Sequence, residues 1–448
     1  MRISVVGLGY LGAVHATALA SVGFDVIGVD LDSEKVAALA GGVPPFHEPR
    51  FDELLTQTLA SGRLRFSTDT ADVADCDIHF LCVGTPQQAD GVAADLSQVW
   101  DALDSLLPLM SDDSVLVGKS TVPVGTAAQI VERLRESGSR TTVLWNPEFL
   151  REGFAVRDTL EPDRIVVGAT SDPRGNEAIA RLRQVYAAPI SAGTPFLVTD
   201  LATAELVKVA ANSFLATKIS FINAMAEICE ATGADVTQLA TAIGHDSRIG
   251  SQFLRAGVGF GGGCLPKDIR AFMARAQDLG LSDSVRFLSE VDAINDRTRQ
   301  RAVVAAEDML GSVPGSTVVV LGAAFKPDSD DTRDSPALGI AGQLHARGAR
   351  VRVHDPHALA NAARSHPQLE YEPHLMTALV DADLVMVLTE WREYVTLDPA
   401  SVGGLVRTRR VFDGRNCLPA RQWQEAGWRY RGVGFSGSVV DVRSALPR

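Results

Sequence analysis

The residues best equipped for chemistry lie together in Gly257-Val258-Gly259-Phe260-Gly261-Gly262-Gly263-Cys264-Leu265-Pro266-Lys267-Asp268. Five glycines within seven residues allow positive φ and close approach of a ligand. They deliver a cysteine just ahead of Pro266, a residue suited to the first turn of a helix. Pro266–Leu279 has helical spacing, with Ile269, Phe272, Met273 and Ala276 on one face. Cys264 is thus expected beside a helix N-terminus, whose unpaired N–H groups and dipole favour an anion. That is the setting in which a thiol becomes a thiolate nucleophile. Lys267 and Asp268 follow within one turn. A glycine loop carrying a buried structural cysteine would read the same way, so the rest of the chain has to decide.

The first such element is Ile3–Val6, an apolar strand, followed by Gly7-Leu8-Gly9-Tyr10-Leu11-Gly12 and a helix to about Ser21. A second strand, Val26–Val29, ends at Asp30. Between strand and helix, this glycine spacing allows a tight turn and lets a pyrophosphate approach the helix N-terminus. Asp30 is placed to bind the ribose hydroxyls, and its charge repels a 2′-phosphate, which favours NAD over NADP. Further strands are expected at Ile78–Val83, Val115–Lys119 and Thr142–Trp145. Each runs into a loop of small or polar residues: Val83-Gly84-Thr85-Pro86, Ser120–Thr126, and Asn146-Pro147-Glu148-Phe149-Leu150-Arg151-Glu152-Gly153. Ligands of an open parallel sheet sit just beyond such carboxyl ends, which puts Thr121, Glu148 and Glu152 where chemistry would occur. A capping or surface role for the two glutamates is the competing reading.

From Ala202 to about Thr232 the pattern is helical without glycine or proline. Some 30 residues would extend about 45 Å, a spine between domains or subunits. Lys208 and Asn212 share a face, and a lysine within Val207–Ala211 is either a snorkelling surface residue or a functional cation. More helix is expected over Ser282–Leu310, and Val313-Pro314-Gly315-Ser316 marks a boundary. A second α/β pattern then opens at Thr317–Gly322, with strands at Val351–His354, Leu384–Leu388 and Val411–Phe412. Its first strand is followed by Gly322-Ala323-Ala324-Phe325, without the glycine spacing, so this half is expected to bind something other than a dinucleotide, or nothing. The fold class is α/β: two Rossmann-like doubly wound parallel-sheet domains joined by a long central helix. The domains are 1–200 for NAD, 201–312 for the helical core and cysteine loop, and 313–448 for the second sheet.

The 448 residues suffice for such an arrangement, and 46% hydrophobic with 22% charged residues is ordinary for a globular chain. A net charge of −13 argues against nucleic-acid and anionic-membrane partners. No apolar run approaches the roughly 18–20 residues of a membrane span, and the N-terminus has no signal-peptide layout. Cys76, Cys82, Cys229, Cys264 and Cys417 are scattered, odd in number and never in a C-x-x-C pair. That speaks against a disulfide framework or metal site and for a reducing cytoplasm.

Taken together, Gly7–Gly12 with Asp30, Val83–Pro86, Ser120–Thr126, Asn146–Gly153, Glu205–Asn212, Gly257–Asp268 and Phe325-Lys326-Pro327 through Arg333-Asp334-Ser335-Pro336 resemble the UDP-glucose/GDP-mannose dehydrogenase family, in order along the chain. The resemblance implies a four-electron oxidation of a sugar CH2OH to a carboxylate with two NAD+, the UDP-glucose branch being the better match. It gives Cys264 the role of trapping the aldehyde as a thiohemiacetal that becomes a thioester. Lys208 and Asn212 would stabilise the oxyanion. Asp268 with Thr121 would hold the water involved in proton removal, Glu148 would activate water for hydrolysis, and Glu152 would order substrate and nicotinamide. Either Lys208 or Asp268 is the base of the first step.

On the cofactor side the resemblance implies Gly7, Gly9, Tyr10, Leu11, Gly12, Asp30, Lys35, Val83, Gly84, Thr85 and Arg333, beside Thr121, Glu152 and Cys264. On the substrate side it implies Phe149, Leu150, Phe253, Gly257, Phe260, Gly261, Lys326 and Arg415, beside Glu148, Glu152, Lys208 and Asn212. Arg248 would reach the site of a neighbouring subunit, making a homodimer through the long helix. Two positions depart from the family pattern: Leu11, where valine is frequent, and Gly263, often serine. Three other readings stay open: a dehydrogenase of GDP-mannose, UDP-N-acetylmannosamine or UDP-N-acetylglucosamine; a one-step 6-phosphogluconate-type enzyme without a cysteine nucleophile; and a non-catalytic NAD sensor.

Overall fold

A computed structural model of the chain describes residues 1–435. The last thirteen residues of the expected third domain, 436–448, lie outside it. Two parallel sheets dominate. The first has eight strands: β1 (Arg2–Val6), β2 (Asp25–Val29), β3 (Leu64–Ser67), β4 (Ile78–Leu81), β5 (Val115–Gly118), β6 (Thr142–Trp145), β7 (Ile165–Gly168) and β8 (Phe196–Thr199). Their order is β3-β2-β1-β4-β5-β6-β7-β8, and only the β6·β7 pairing is antiparallel. The second sheet has six: β9 (Thr317–Leu321), β10 (Arg350–His354), β11 (Glu370–Tyr371), β12 (Leu384–Val387), β13 (Arg410–Asp413) and β14 (Arg429–Gly432), in the order β11-β10-β9-β12-β13-β14. Strands one to six of each sheet thus follow the same doubly wound order.

The central strands are continuous apolar runs because helices cover both faces. Ile3, Val5 and Ile78 pack on one face of the first sheet, against the helix Tyr10–Ser21 and Leu55. Val6, Ile27 and Leu81 pack on the other with Leu103 and Ile130. Val318, Val320, Leu384 and Met386 belong to a single core around the second sheet.

Compactness divides the chain into two units. The first is Met1–Asn212 with Lys267–Ser282, and the second is Ser213–Pro266 with the chain from Asp283 onward. The long helix, Leu201–Thr232, runs from the first into the second and so links the two sheet domains. Pro266 lies inside the first turn of the helix Leu265–Asp278, as expected from its missing N–H. Within Ser282–Leu310, a short 3₁₀ turn, Ser282–Val285, precedes the helix Phe287–Leu310.

Candidate functional site

In the first unit the loop after β1 is held as the glycine spacing requires. Gly7 has φ +91°, and a Cβ there would meet the Val83 backbone at 2.8 Å. A Cβ at Gly12 would fall 1.8 Å from the Gly7 carbonyl, so the helix can begin only with glycine at that position. Gly9 differs: nothing lies within 4 Å of where its Cβ would point. That open cradle at the head of the helix Tyr10–Ser21 suits a pyrophosphate. Asp30 follows β2 and accepts the Leu8 N–H at 2.6 Å. Lys35 lies 3.0 Å from the same carboxylate. The residues therefore fit an NAD molecule. Thr85 is buried and donates to the Thr121 carbonyl at 2.7 Å, and the Ser120 hydroxyl donates to the Val83 carbonyl at 2.7 Å. Gly84 faces the Gln98 side chain.

Tyr10 does more than flank the glycines. Its hydroxyl bonds Glu48, and both accept the Gly153 N–H, tying the first helix to the end of the 146–153 loop. Burial, then Glu48, then the charge of Glu152 push the phenol upward, so it stays protonated. Leu11 is half-buried and packs on the first core.

Around the head of the long helix, buried polar side chains gather. Lys208 pairs with Glu148 at 2.8 Å, and one turn later Asn212 donates to Asp268 at 2.6 Å. Lys208, Asn212 and Asp268 are 4%, 7% and 1% exposed. Lys208 is therefore a buried, paired cation. Burial raises the Glu148 carboxyl, but the Lys208 ammonium, its hydrogen bond, the Leu150 N–H and Lys119 outweigh this and hold it below the usual range. Lys267 adds a contact to Asp268 at 2.5 Å. Thr85, Thr121, Val209, Asp268 and Phe272 line one cavity. The Phe149 ring lies under the Arg164 guanidinium at 3.8 Å. Glu205, on the same helix, accepts the Gly125 and Ala127 N–H groups at 2.7 and 2.6 Å, an anion at the start of the helix Thr126–Glu136. Arg275 donates to the Val124 carbonyl at 2.9 Å, so two helices fix the loop that carries Thr121.

In the second unit the glycine loop is stitched to its surroundings through its backbone. Asn223 accepts the Gly257 N–H at 2.9 Å. Asn295 brackets Phe260, accepting its N–H at 2.8 Å and donating to its carbonyl at 3.0 Å. Arg299 donates to the same carbonyl at 2.8 Å. A Cβ at Gly261 would fall 2.2 Å from the Asp334 carbonyl, so the close approach demands glycine. At Gly263 a Cβ would fall 2.3 Å from the Arg333 guanidinium carbon, which gives the departure from serine a physical consequence. The guanidinium lies against the backbone one residue before Cys264 and also binds Asp331 at 2.7 Å. Cys264 is exposed and immediately precedes the helix Leu265–Asp278.

Arg415 spends its donors on the carbonyls of Leu388, Gly259 and Phe325, at 2.8, 3.0 and 3.2 Å. The Lys326 ammonium stands 5.3 Å from the Phe325 ring centre. Phe253 adopts φ +62°, unusual for a bulky residue. Arg248 is bound to its neighbour Asp246 in a turn, with its side chain 87% exposed.

Sequence reasoning passed over the side chains that hold these groups in place: Glu48, Asn146, Tyr186, Asn223, Asn295 and Arg299. Asn223, Asn295 and Arg299 are polar residues within helical patterns, which by itself says only that a partner exists, while Glu48, Asn146 and Tyr186 lie in connections between elements and carry no periodic signal at all.

Comparison with known proteins agrees with this geometry. Residues 1–190 match the NAD binding domain of the UDP-glucose/GDP-mannose dehydrogenase family, 202–297 its central domain, and 319–420 its UDP binding domain. The chain is 41% identical to the UDP-glucose 6-dehydrogenase YwqF of Bacillus subtilis, over 98% of this chain and 99% of that one. The structure of a UDP-glucose dehydrogenase from Pyrobaculum islandicum superposes with a TM-score of 0.88 at 39% identity, covering 97% of this chain and 98% of that one. A UDP-D-ManNAc dehydrogenase from Pyrococcus horikoshii gives 0.85 at 26% identity, covering 98% and 100%. With all three segments matched in order, the chain belongs to the UDP-glucose/GDP-mannose dehydrogenase family.

Proposed function

We propose that this protein oxidises UDP-glucose to UDP-glucuronate with two equivalents of NAD+. The observation that carries the reading is the pair of buried contacts one helical turn apart, Lys208 with Glu148 and Asn212 with Asp268. A cation, an amide and two carboxylates are the groups that alcohol oxidation and acyl hydrolysis need. UDP-glucose is preferred over the N-acetylated sugars because relatives that carry its name are about 40% identical, against 26% for the UDP-D-ManNAc enzyme.

NAD, when bound, accepts hydride from the sugar carbon in each of two oxidations. Gly7, Gly9, Gly12 and Asp30 would hold it, with Lys35, Thr85 and Arg333. The Cys264 thiolate adds to the aldehyde carbonyl, forming a C–S bond and an oxyanion that Lys208 and Asn212 stabilise. Loss of the second hydride leaves a thioester. Water then adds, the C–S bond breaks, and carboxylate and thiolate separate. Asp268 with Thr121 holds water, Glu148 draws the proton from the hydrolytic water, and Glu152 orders the site. In this reading the segments 1–200, 201–312 and 313–448 serve cofactor, nucleophile and substrate nucleotide in turn.

The chain is further read as a homodimer through its long helix. Phe214, Phe221 and Ile228 recur at seven-residue spacing and are 66%, 48% and 54% exposed, the seam of a helix pair. Light scattering should give twice the chain mass, and Phe221→Glu should shift it toward the monomer. A monomeric wild type would remove this part. Among the described residues no helix is long and apolar enough to cross a membrane. The buried thiols of Cys76, Cys82 and Cys229 suit the reducing cytoplasm.

The decisive experiment is NADH formed per nucleotide sugar consumed, with limiting UDP-glucose. Two per sugar, with UDP-glucuronate as product, is the expected result. Two per sugar only with GDP-mannose or a UDP-hexosamine would move the substrate. One, or none with any of them, would remove the role of Cys264.

A further inference from the structure

Behind the carboxyl edge of the first sheet lies a second buried lysine that the chemistry above leaves unused. Lys119 directly follows β5, is 6% exposed, and among the described residues donates to neutral groups only: Asn146 Oδ1 at 3.0 Å, the Tyr186 hydroxyl at 3.3 Å and the Asn146 carbonyl at 3.5 Å. The Phe80 and Tyr186 rings each stand 5.9 Å from its ammonium. Tyr186 also donates to Asn146 Oδ1 at 2.6 Å, and Asn146 Nδ2 donates to the Val166 carbonyl at 2.8 Å. Both faces of the Asn146 amide are thereby assigned, with Lys119 and Tyr186 on the oxygen. Asn146 begins the loop that leads, through Pro147, to Glu148.

A buried ammonium held by neutral groups costs several kcal/mol in desolvation, far more than a hydrogen-bonded neutral side chain in its place. Its charge balance is set through space. Burial opposes the charged form most strongly, Lys208 adds to that, and Glu148 favours it; Cys82, whose thiol burial pushes up to about 12, contributes no charge near pH 8. His15, packed against Phe80, is buried and kept neutral by its burial and by Lys119. His15 Nε2 has no protein partner among the described residues. A cavity of roughly 50 Å³ is lined by His15, Lys119, Asn146, Glu148 and Tyr186, with Asp158, Asp163 and Arg164 as the other charged groups in its wall, room for ordered water to satisfy that nitrogen.

We propose that Lys119 is a positioning residue for the oxidation: its ammonium fixes Asn146, and through it the loop that carries Glu148 to Lys208. The proposal rests on the roles given above to Glu148 and Lys208. Burial draws the Lys119 ammonium down to about 8, so it loses its proton within reach of an ordinary assay. Above that pH the charge that anchors the loop disappears, and turnover falls. Stability moves the other way. Between about 8 and the usual lysine value the unfolded chain still binds the proton and the native chain does not, so the fold gains as pH rises. A purely structural lysine would show only the second effect.

The test compares wild type, Lys119→Met and Lys119→Arg in the full chain with NAD+ and UDP-glucose, across about pH 6–10. Lys119→Met should lose about 10- to 100-fold in kcat with little change in KM, and should lack the decline above pH 8. Lys119→Arg should recover much of kcat and carry the decline to higher pH, because a guanidinium keeps its proton. Hydrogen exchange of the 146–153 segment, which needs no turnover, should quicken in Lys119→Met. An unchanged exchange rate, or an unaltered pH profile in both variants, overturns the proposal. A wild type inert toward every nucleotide sugar would instead overturn the functional reading, and the exchange comparison would still decide for Lys119.

Discussion

The two sheets begin with the same hydrogen bonds and end with different uses for them. Gly7 follows β1 and donates to the Val29 carbonyl at 2.8 Å; Gly322 follows β9 and donates to the His354 carbonyl at 2.8 Å. Both glycines have positive φ, +91° and +111°, and a Cβ on either would strike the residue two beyond the central strand, Val83 or Thr389. The next N–H donates in each case to the acid that ends the second strand: Leu8 to Asp30 at 2.6 Å and Ala323 to Asp355 at 2.7 Å. There the halves part. Asp30 goes on to Lys35 beside the open cradle of Gly9. Asp355 is 2% exposed and takes four more donors, the N–H groups of Ala324, His357 and Ala358 and the Trp391 indole. One strand-end carboxylate remains available to a ribose. The other is an internal staple, with both oxygens taken by donors of its own half, and has none left to offer a ribose in the same way.

If that contrast is right, exchanging the acid for its amide should move stability in one half and binding in the other. The larger effect belongs to Asp355→Asn. Both of its oxygens face only donors, so an amide NH2 must point at N–H groups and strand them. Each buried donor left unpaired costs about 1–3 kcal/mol, so the second unit should lose about 3 kcal/mol. Hydrogen exchange should report it as faster opening of β9 and β10, with β1 and β2 unchanged. Weaker NAD binding at unchanged exchange would break the comparison.

Gly9→Val comes next. Gly9 has φ −64°, a conformation open to any residue, and its Cβ direction meets nothing within 4 Å. The side chain would fill the cradle rather than strain the fold. NAD affinity should fall about 100-fold, while the melting temperature shifts only by the loss of a tolerated N-cap. A titration with unaltered affinity would mean that the pyrophosphate does not lie there.

How much of this was legible in the chain follows from where the information sits. The strand–glycine–helix opening could be read because its constraints are local: a Cβ at Gly12 collides with Gly7 whatever the rest of the chain does. The central strands were expected within about two residues of their bounds, since burial on both faces writes them as apolar runs. Edge strands were missed. Leu64-Arg65-Phe66-Ser67, Glu370-Tyr371 and Arg429-Tyr430-Arg431-Gly432 are short and half-polar, with too few residues to show a period, and the apolar run of β7 is too brief to tell strand from helix. Among the site residues, Lys208 and Asn212 were visible from helical spacing, but their partners were not. Asn212 and Asp268 lie 56 residues apart, and only tertiary packing brings them together. Lys119 ended a strand pattern and belonged to the Lys119–Thr126 resemblance, with no role of its own. Asp355 could have been found by laying one half of the chain on the other.

The smallest expected effect tests the first sheet alone. In Asp30→Asn the amide oxygen can still accept the Leu8 N–H, so the turn keeps the bond that the second sheet shares. The ion pair to Lys35, the bond from the Asp32 N–H at 3.0 Å and one ribose-accepting oxygen are lost, but Asp32 is exposed and water can take its N–H. A single hydrogen bond to a charged acceptor is worth about 1.5–3 kcal/mol, so NAD should bind about tenfold more weakly, with little change in melting. NADP should not follow. Removing the carboxylate takes away the charge that repels a 2′-phosphate, and Lys35, no longer paired 3.0 Å away, becomes able to meet one. The ratio of NAD to NADP affinity should therefore fall by more than NAD affinity itself. Equal weakening of both cofactors would show that Asp30 acts on the turn, as Asp355 does, and the distinction between the two halves would rest on Gly9 alone.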